Sequence, residues 1–583
     1  MAKAGLQTDA AGILRDALTA CRRHIGFVIL FSAALNLLYL APSIYMLQVY
    51  DRVLTSGGLF TLLYLTLVLL ASLAVLAFLD AMRVRLLSSM ARRMDRLVAP
   101  HVLMAALQRE GRQAAGQAQP LREFDTLRGA ITGPPALAAV DAPWAPIYIL
   151  VCFMIHPLIG ALALVGGIVL VAVAFFNQVA MHKALKTNDQ ATGAVYGLHL
   201  SDSAQGETAR ALGMQGALVR RQMQARETMS HALDESSRSG AAYTASTKFI
   251  RLFLQSAALG LGAYLALQQQ ISAGGIIAAS ILTSRAFAPL ELIVGAWRQF
   301  EQGRQAYRVL NDVLKTQEKA RDFTALPDPE GRLSVEQATV RAPGGERLLL
   351  INASFRAEPG EIVGVVGPSG AGKTTLMRVI AGALEPDQGA VRLDGAKLTD
   401  WTPDRLGRHI GYLPQDVALF AGSVRDNISR FERDGEDRDS VDRAVVAAAQ
   451  AAGAHEMVLA LPKGYDTEIG IGARNLSSGQ AQRIGLARAL YRDPKLIVLD
   501  EPNAHLDAEG ELALIATLKA ARDRGATVIV VAHRAGFMNI ADKLMVVQDA
   551  HIDAFGPRDQ VAAKLGGQAR PVVVSGDGQG RRP

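Results

Sequence analysis

The sequence predicts two fold classes in one chain: a membrane all-α unit of six helices fused to an α/β unit built on a phosphate-binding loop. Three observations predict it. Long apolar blocks recur up to about residue 295, short apolar strands alternate with helical patterns from about residue 333, and a glycine-rich loop of fixed spacing joins one such strand to a helix. At 583 residues the chain exceeds one ordinary core, since domains run to about 100–200 residues. The expected division is an N-terminal segment over 1–20, a membrane domain with long helical extensions over 21–315, a linker over 316–332, the α/β domain over 333–565 and a disordered tail, rich in Gly and Arg, over 566–583.

The membrane unit comes first. A helix needs about 20 predominantly apolar residues to cross the hydrocarbon core, and six stretches qualify: 24–48, 58–81, 139–155, 158–177, 249–267 and 274–297. The third and fourth are joined by a His156-Pro157 corner. The first follows Arg15, Arg22 and Arg23 but is too long for a signal-peptide core, so it is expected to be retained. The links 82–138 and 178–248 are long and rich in Arg and Lys, whereas the other links are short. By the positive-inside rule both long links, the N-terminus and everything after Trp297 belong in the cytoplasm. The net charge of +7 sits mainly in those links, which favours a lipid bilayer over nucleic acid as the partner. Two cysteines, Cys21 and Cys152, supply neither a disulfide framework nor a zinc cluster.

Within the long links the spacing of Met94, Leu97, Val98, Val102 and Ala105 predicts helices that continue beyond the bilayer. Two pieces, 121–128 and 207–218, are either docking elements for the α/β domain or ordinary solvated helix. Ionisable residues in lipid are costly, so Arg285 and Glu291, flanking Pro289 in the sixth block, either line a path or pair to fix helix packing.

The chemistry lies in the second half. Gly367-Pro368-Ser369-Gly370-Ala371-Gly372-Lys373-Thr374-Thr375 follows the apolar strand 362–366 and opens a helix near Thr374. Glycines let backbone N–H groups curl around phosphates, Lys373 neutralises the β/γ-phosphates, and the Thr374 hydroxyl suits Mg²⁺ at a helix N-terminus. A second apolar strand, 496–499, ends in Asp500-Glu501. Asp500 is expected to hold Mg²⁺ through its water shell, and Glu501 to act as the general base on the attacking water. ATP and Mg²⁺ are the expected cofactors.

Between these motifs stands Leu476-Ser477-Ser478-Gly479-Gln480, which resembles the signature of ATP-binding cassette proteins, with Ser478 in place of the usual glycine. The resemblance implies a head-to-tail homodimer in which this loop, Ser477 and Gly479 above all, caps the nucleotide held by the other copy. Gln415 resembles the glutamine that senses magnesium and the transport domain, Leu506-Asp507 the D-loop, and His533 the switch histidine on the γ-phosphate. Family members often stack adenine on an aromatic residue where this chain has Ala342, with Arg341 or an apolar contact as the expected substitute.

Thr467-Glu468-Ile-Gly-Ile-Gly472 resembles a loop of exporters, with Glu468 as the coupling residue. Three further phrases, at 45–53, 141–148 and 501–507, are similar to type I secretion ATPases, specifically the PrtD-like branch. That resemblance, over about 21–565, implies a multi-pass bacterial inner-membrane protein with its ATPase domain in the cytoplasm. It also implies a periplasmic membrane-fusion adaptor, an outer-membrane channel and an unfolded polypeptide cargo with a C-terminal signal. Nothing ahead of the first membrane block suggests a peptidase domain. The rival readings are a lipid or drug exporter of the same architecture and, from another class, a non-transporting ATP-dependent regulator.

Overall fold

The computed structural model describes residues 10–109, 120–315, 326–342, 345, 347–432, 438–470, 475–504, 506, 508–531 and 535–568. They fall into two units that divide between residues 320 and 321.

The first unit is helical, and among its described residues six helical spans are long and apolar enough to cross a membrane: Arg22–Ser56, Leu59–Leu107, Pro120–Ile155, Pro157–Phe176, Gln215–Leu267 and Ala273–Lys315. Four helices, Leu59–Arg109, Pro157–Ala204, Gln215–Leu267 and Ala273–Lys315, run for 51, 48, 53 and 43 residues. At about 1.5 Å per residue each is far longer than the roughly 30 Å hydrocarbon core. The most apolar window of the second span buries none of its residues in the protein, as a lipid-facing surface would.

Proline sets the breaks. The third span is interrupted where Pro134 and Pro135 start the helix Pro134–Asp141 and again at the 3₁₀ turn Ala142–Trp144, because proline lacks the N–H that a continuing helix needs. At the next corner the His156 ring accepts from the Leu158 amide at 3.2 Å and caps the helix that Pro157 opens.

Several buried polar side chains in this unit are joined in one network. Arg83 donates to Ser32 at 2.8 Å and to both Asp141 oxygens at 3.1 and 3.0 Å. Asn36 donates to the same carboxylate at 3.1 Å and accepts from the Tyr148 hydroxyl at 3.1 Å. Asp51, in a π-helical turn over Val49–Val53, accepts from Ser272 at 2.5 Å and from the Gly274 amide at 2.8 Å, tying the first span to the start of the sixth.

Of the two ionisable residues singled out in the sixth block, Glu291 pairs with Arg251 at 2.7 Å and Arg285 lies 4.2 Å over the Tyr39 ring. Pairing is therefore what the geometry shows for both. Segment 121–128 lies in the helix Pro120–Thr132 and spends its apolar face on its own unit, burying Phe124 and Leu127 with Ala306, Leu310 and Val313. The second candidate docking piece covers the short helix Gly206–Ala211 and a largely exposed turn with Leu212 68 % accessible.

The second unit carries twelve strands among its described residues, β1 (Leu333–Arg341), β2 (Leu348–Ala357), β3 (Ile362–Val366), β4 (Gln388–Leu393), β5 (Ala396–Lys397), β6 (Ile410–Leu413), β7 (Gly422–Ser423), β8 (Glu468–Ile469), β9 (Leu496–Asp500), β10 (Thr527–Val531), β11 (Lys543–Gln548) and β12 (His551–Pro557). The central sheet has the order β12-β11-β3-β10-β9-β6, parallel throughout except for β12. β9 and β10 are buried along their whole length, as expected of parallel strands covered on both faces. One core cluster joins β3 and β9 to the antiparallel sheet β2-β1-β4-β5, and a second packs the opposite face against the helices Arg438–Ala451 and Ser478–Leu490.

The stretch before β1 is fastened to this unit, since Asp394 accepts from the amides of Glu330, Gly331 and Arg332 at 2.8, 3.2 and 3.0 Å. At the other end the helix Arg558–Gln568 passes the expected boundary at 565, and the expected disordered tail beyond 568 lies outside the described residues.

Candidate functional site

Parallel strands β3, β9 and β6 all end on one edge of the sheet, and the residues that follow them meet there. After β3 the loop turns through Gly367 at φ +154°. A Cβ at Gly367 would stand 2.0 Å from the Val547 carbonyl oxygen and one at Gly372, φ +103°, 2.7 Å from that of Leu349, so both positions require glycine. Pro368, Ser369 and Gly370 form the exposed crest, and Ala371 is buried beneath it.

The helix Lys373–Ile380 begins one residue earlier than expected. Lys373 is 7 % exposed, and its ammonium donates to the carbonyls of Gly367 and Pro368, both at 2.8 Å. Thr374 and Thr375 occupy the first turn, where free backbone N–H groups favour an anion.

Across the edge, the Thr374 hydroxyl donates to Gln415 Oε1 at 3.3 Å, and Gln415 Nε2 donates to Glu501 Oε2 at 3.4 Å. Asp500 closes β9 at 1 % exposure, and neither carboxylate oxygen has a hydrogen-bond partner of good geometry. Burial pushes its carboxyl above the ordinary aspartate value and the Glu501 charge adds to this, while the Thr374 side chain, Lys373 and Arg378 pull the other way. A buried, orphaned carboxylate beside a hydroxyl and an amide oxygen is an all-oxygen set, which suits a hard cation such as Mg²⁺. Glu501 itself sits at φ +52°, its amide donating to the Val531 carbonyl at 3.1 Å; a non-glycine residue there is uncommon and concentrates at functional sites.

Ser477 caps the helix Ser478–Leu490: its hydroxyl accepts from the Gln480 amide at 3.2 Å, and Gln480 Oε1 accepts from the Ser477 amide at 2.9 Å. Ser478 is the first helical residue and exposed, so the loop admits a side chain where a glycine is usual. Gly479 follows it in the same turn. Glu468 lies on β8, which pairs with β7, and its carbonyl accepts from Asn475 at 2.7 Å. Leu506 is buried, and Ala342 donates its amide to the Arg347 carbonyl at 2.8 Å. His533, Asp507 and Gly472 lie outside the described residues.

The edge thus brings together Lys373, Thr374, Gln415, Asp500 and Glu501, five residues the sequence singled out. Sequence reasoning passed over Gln482, Arg251 and the Arg83–Asp141 pair. Asp141 opens the phrase at 141–148 and Arg83 lies in the basic link 82–138, so both residues were visible although their pairing was not.

Residues 350–504 match the ABC transporter family. Over 582 residues, 98 % of this chain and 96 % of the other, the sequence is 40 % identical to the type I secretion system ATP-binding protein PrsD of Rhizobium meliloti. It is 30 % identical to the cyclolysin secretion/processing ATP-binding protein CyaB of Bordetella pertussis, over 95 % of this chain and 78 % of that one. Among solved structures, an Atm1-family bacterial ABC exporter with ATP bound superposes with a TM-score of 0.81 at 22 % identity, covering 94 % of this chain and 99 % of the other. That last likeness is one of fold.

Proposed function

Since this chain belongs to the type I secretion ATP-binding proteins of the ABC transporter family, an ATPase that drives export through a multi-pass membrane unit with its ATPase domain in the cytoplasm, we propose that it works as a homodimer in the bacterial inner membrane. Its cargo is an unfolded polypeptide passed to a periplasmic adaptor and an outer-membrane channel. Its relatives, a type I secretion system ATP-binding protein and a cyclolysin secretion protein, support that cargo class.

ATP lies with its phosphates on 367–375, and Lys373 neutralises charge on the β/γ-phosphates. Thr374, Asp500 and Gln415 would hold Mg²⁺, which would offset phosphate charge. Glu501 orients and deprotonates the attacking water, with His533 assigned to the γ-phosphate. Ser477, Ser478, Gly479 and Gln480 of one copy close over the nucleotide of the other. Binding clamps the two ATPase domains together, and their closure biases the membrane helices between two arrangements.

The observation that carries this reading is the chain of contacts from Thr374 through Gln415 to Glu501 beside the orphaned Asp500 carboxylate. Glu501→Gln tests it. Hydrolysis is expected to fall by about 10²–10⁴-fold while ATP binding persists and an ATP-bound dimer accumulates. Lys373→Ala is expected to weaken nucleotide binding itself. A Glu501→Gln protein that stays monomeric with ATP bound removes the proposal.

A further inference from the structure

Gln482 lies in the second turn of the helix Ser478–Leu490 and is 5 % exposed. Its Nε2 donates to two backbone carbonyls of the segment after β9, Glu501 O at 3.2 Å and Pro502 O at 3.0 Å. Those carbonyls lie on the C-terminal side of the left-handed residue Glu501, whose amide is held from the other side by the Val531 carbonyl at 3.1 Å. The Glu501 backbone is thus gripped between β10 and the helix that Ser477 caps. A left-handed non-glycine residue persists only where its surroundings over-determine it, and Gln482 supplies part of that constraint, beside the Ala504 amide that donates to the Glu501 carbonyl at 3.3 Å.

We infer that Gln482 is a positioning residue for ATP hydrolysis: it locks the Glu501 turn to the helix headed by the signature loop, so the carboxylate is aimed only while that helix is seated. This rests on the reading of Glu501 as the general base. A small misplacement of a base costs rate and not substrate binding, so the signature of the role is in kcat.

The test uses the full-length protein in detergent or lipid, with ATP turnover, ATP binding and thermal unfolding measured on each variant. Gln482→Met keeps the volume and removes the donors. It should lower kcat about tenfold, because the two hydrogen bonds it removes position the base and do not themselves touch substrate, with KM for ATP within about twofold of the parent. Gln482→Lys restores a donor to two carbonyls, the arrangement Lys373 already makes with Gly367 and Pro368, and should recover most of the rate. In a Glu501→Gln background Gln482→Met should cause no further loss, since both changes act through one carboxylate. If Gln482→Met does not fold, Gln482→Asn withdraws the donor instead.

Parental kcat in the donor-less variant, a loss confined to KM, no recovery with lysine, or an equal further loss in the Glu501→Gln background each overturns the inference. Parental turnover in Glu501→Gln alone overturns the functional reading beneath it, so the two failures are distinguishable.

Discussion

At the residue scale, Ala342 offers a methyl group where the resemblance expects an aromatic face, and its amide is already committed to the Arg347 carbonyl at 2.8 Å. Stacking of a base on an aromatic side chain is worth about 1–3 kcal/mol, and that share of base recognition is missing from this position. Stacking serves adenine and guanine alike, so telling them apart needs a hydrogen bond to the base edge, and the neighbouring Arg341 amide is already given to Asp387 at 2.7 Å. Competing GTP against ATP in a hydrolysis assay should therefore give a preference below about 100-fold. A larger preference means that another group reads the purine. Lys373 makes the complementary point: its ammonium is held by two loop carbonyls, so the charge is already oriented over the loop before any phosphate arrives.

Two elements owe their placement to carboxylates. Asp141, at the end of the helix Pro134–Asp141, neutralises Arg83 in the second span, and both side chains are largely buried. Removing one partner of a buried pair strands the other charge at a cost of about 3–5 kcal/mol. Asp80, 2.9 Å from the same guanidinium and half-exposed, remains to share the charge, so Asp141→Ala should cost about 3 kcal/mol, the lower end of that range. Thermal unfolding in detergent reads the loss; an unchanged midpoint refutes the pairing. In the ATPase unit, Asp394 gathers three backbone amides of the segment leading into β1. Asp394→Ala leaves those amides without their acceptor and should destabilise this unit by about 2 kcal/mol, with Asp394→Asn retaining part of the effect because its amide oxygen still accepts. A denaturant titration showing the parental midpoint for Asp394→Ala would rule out the anchor.

For the whole molecule, six spans of membrane-crossing length make the chain an integral protein. Alkaline carbonate should leave it in the membrane pellet and detergent should release it; release by carbonate alone would contradict the spanning reading. The six apolar blocks and the strand–loop–helix around 362–380 were legible in the sequence because they depend on neighbours in the chain: local hydrophobicity, glycine where φ is positive, and a helix N-terminus after a strand. The order of Gln415, the signature and Asp500-Glu501 was equally plain, since a linear pattern carries it.

The partners of Arg83, Glu291 and Glu501 were not legible. Helices apolar on most sides show little periodicity to reveal which face turns inward, so neither Arg251 opposite Glu291 nor Asp141 opposite Arg83 follows from spacing. Gln482 sits near the signature in sequence but 19 residues from Glu501, and only the packing of its helix against the segment after β9 brings its amide to that turn. The sequence by itself determined which residues have the chemistry to bind and cleave a nucleotide, and that six helices precede them. Tertiary structure decided that β10 stands between β3 and β9 with β6 beyond them, and thereby which of those residues face one another, because strand order and helix rotation are set by burial among distant segments.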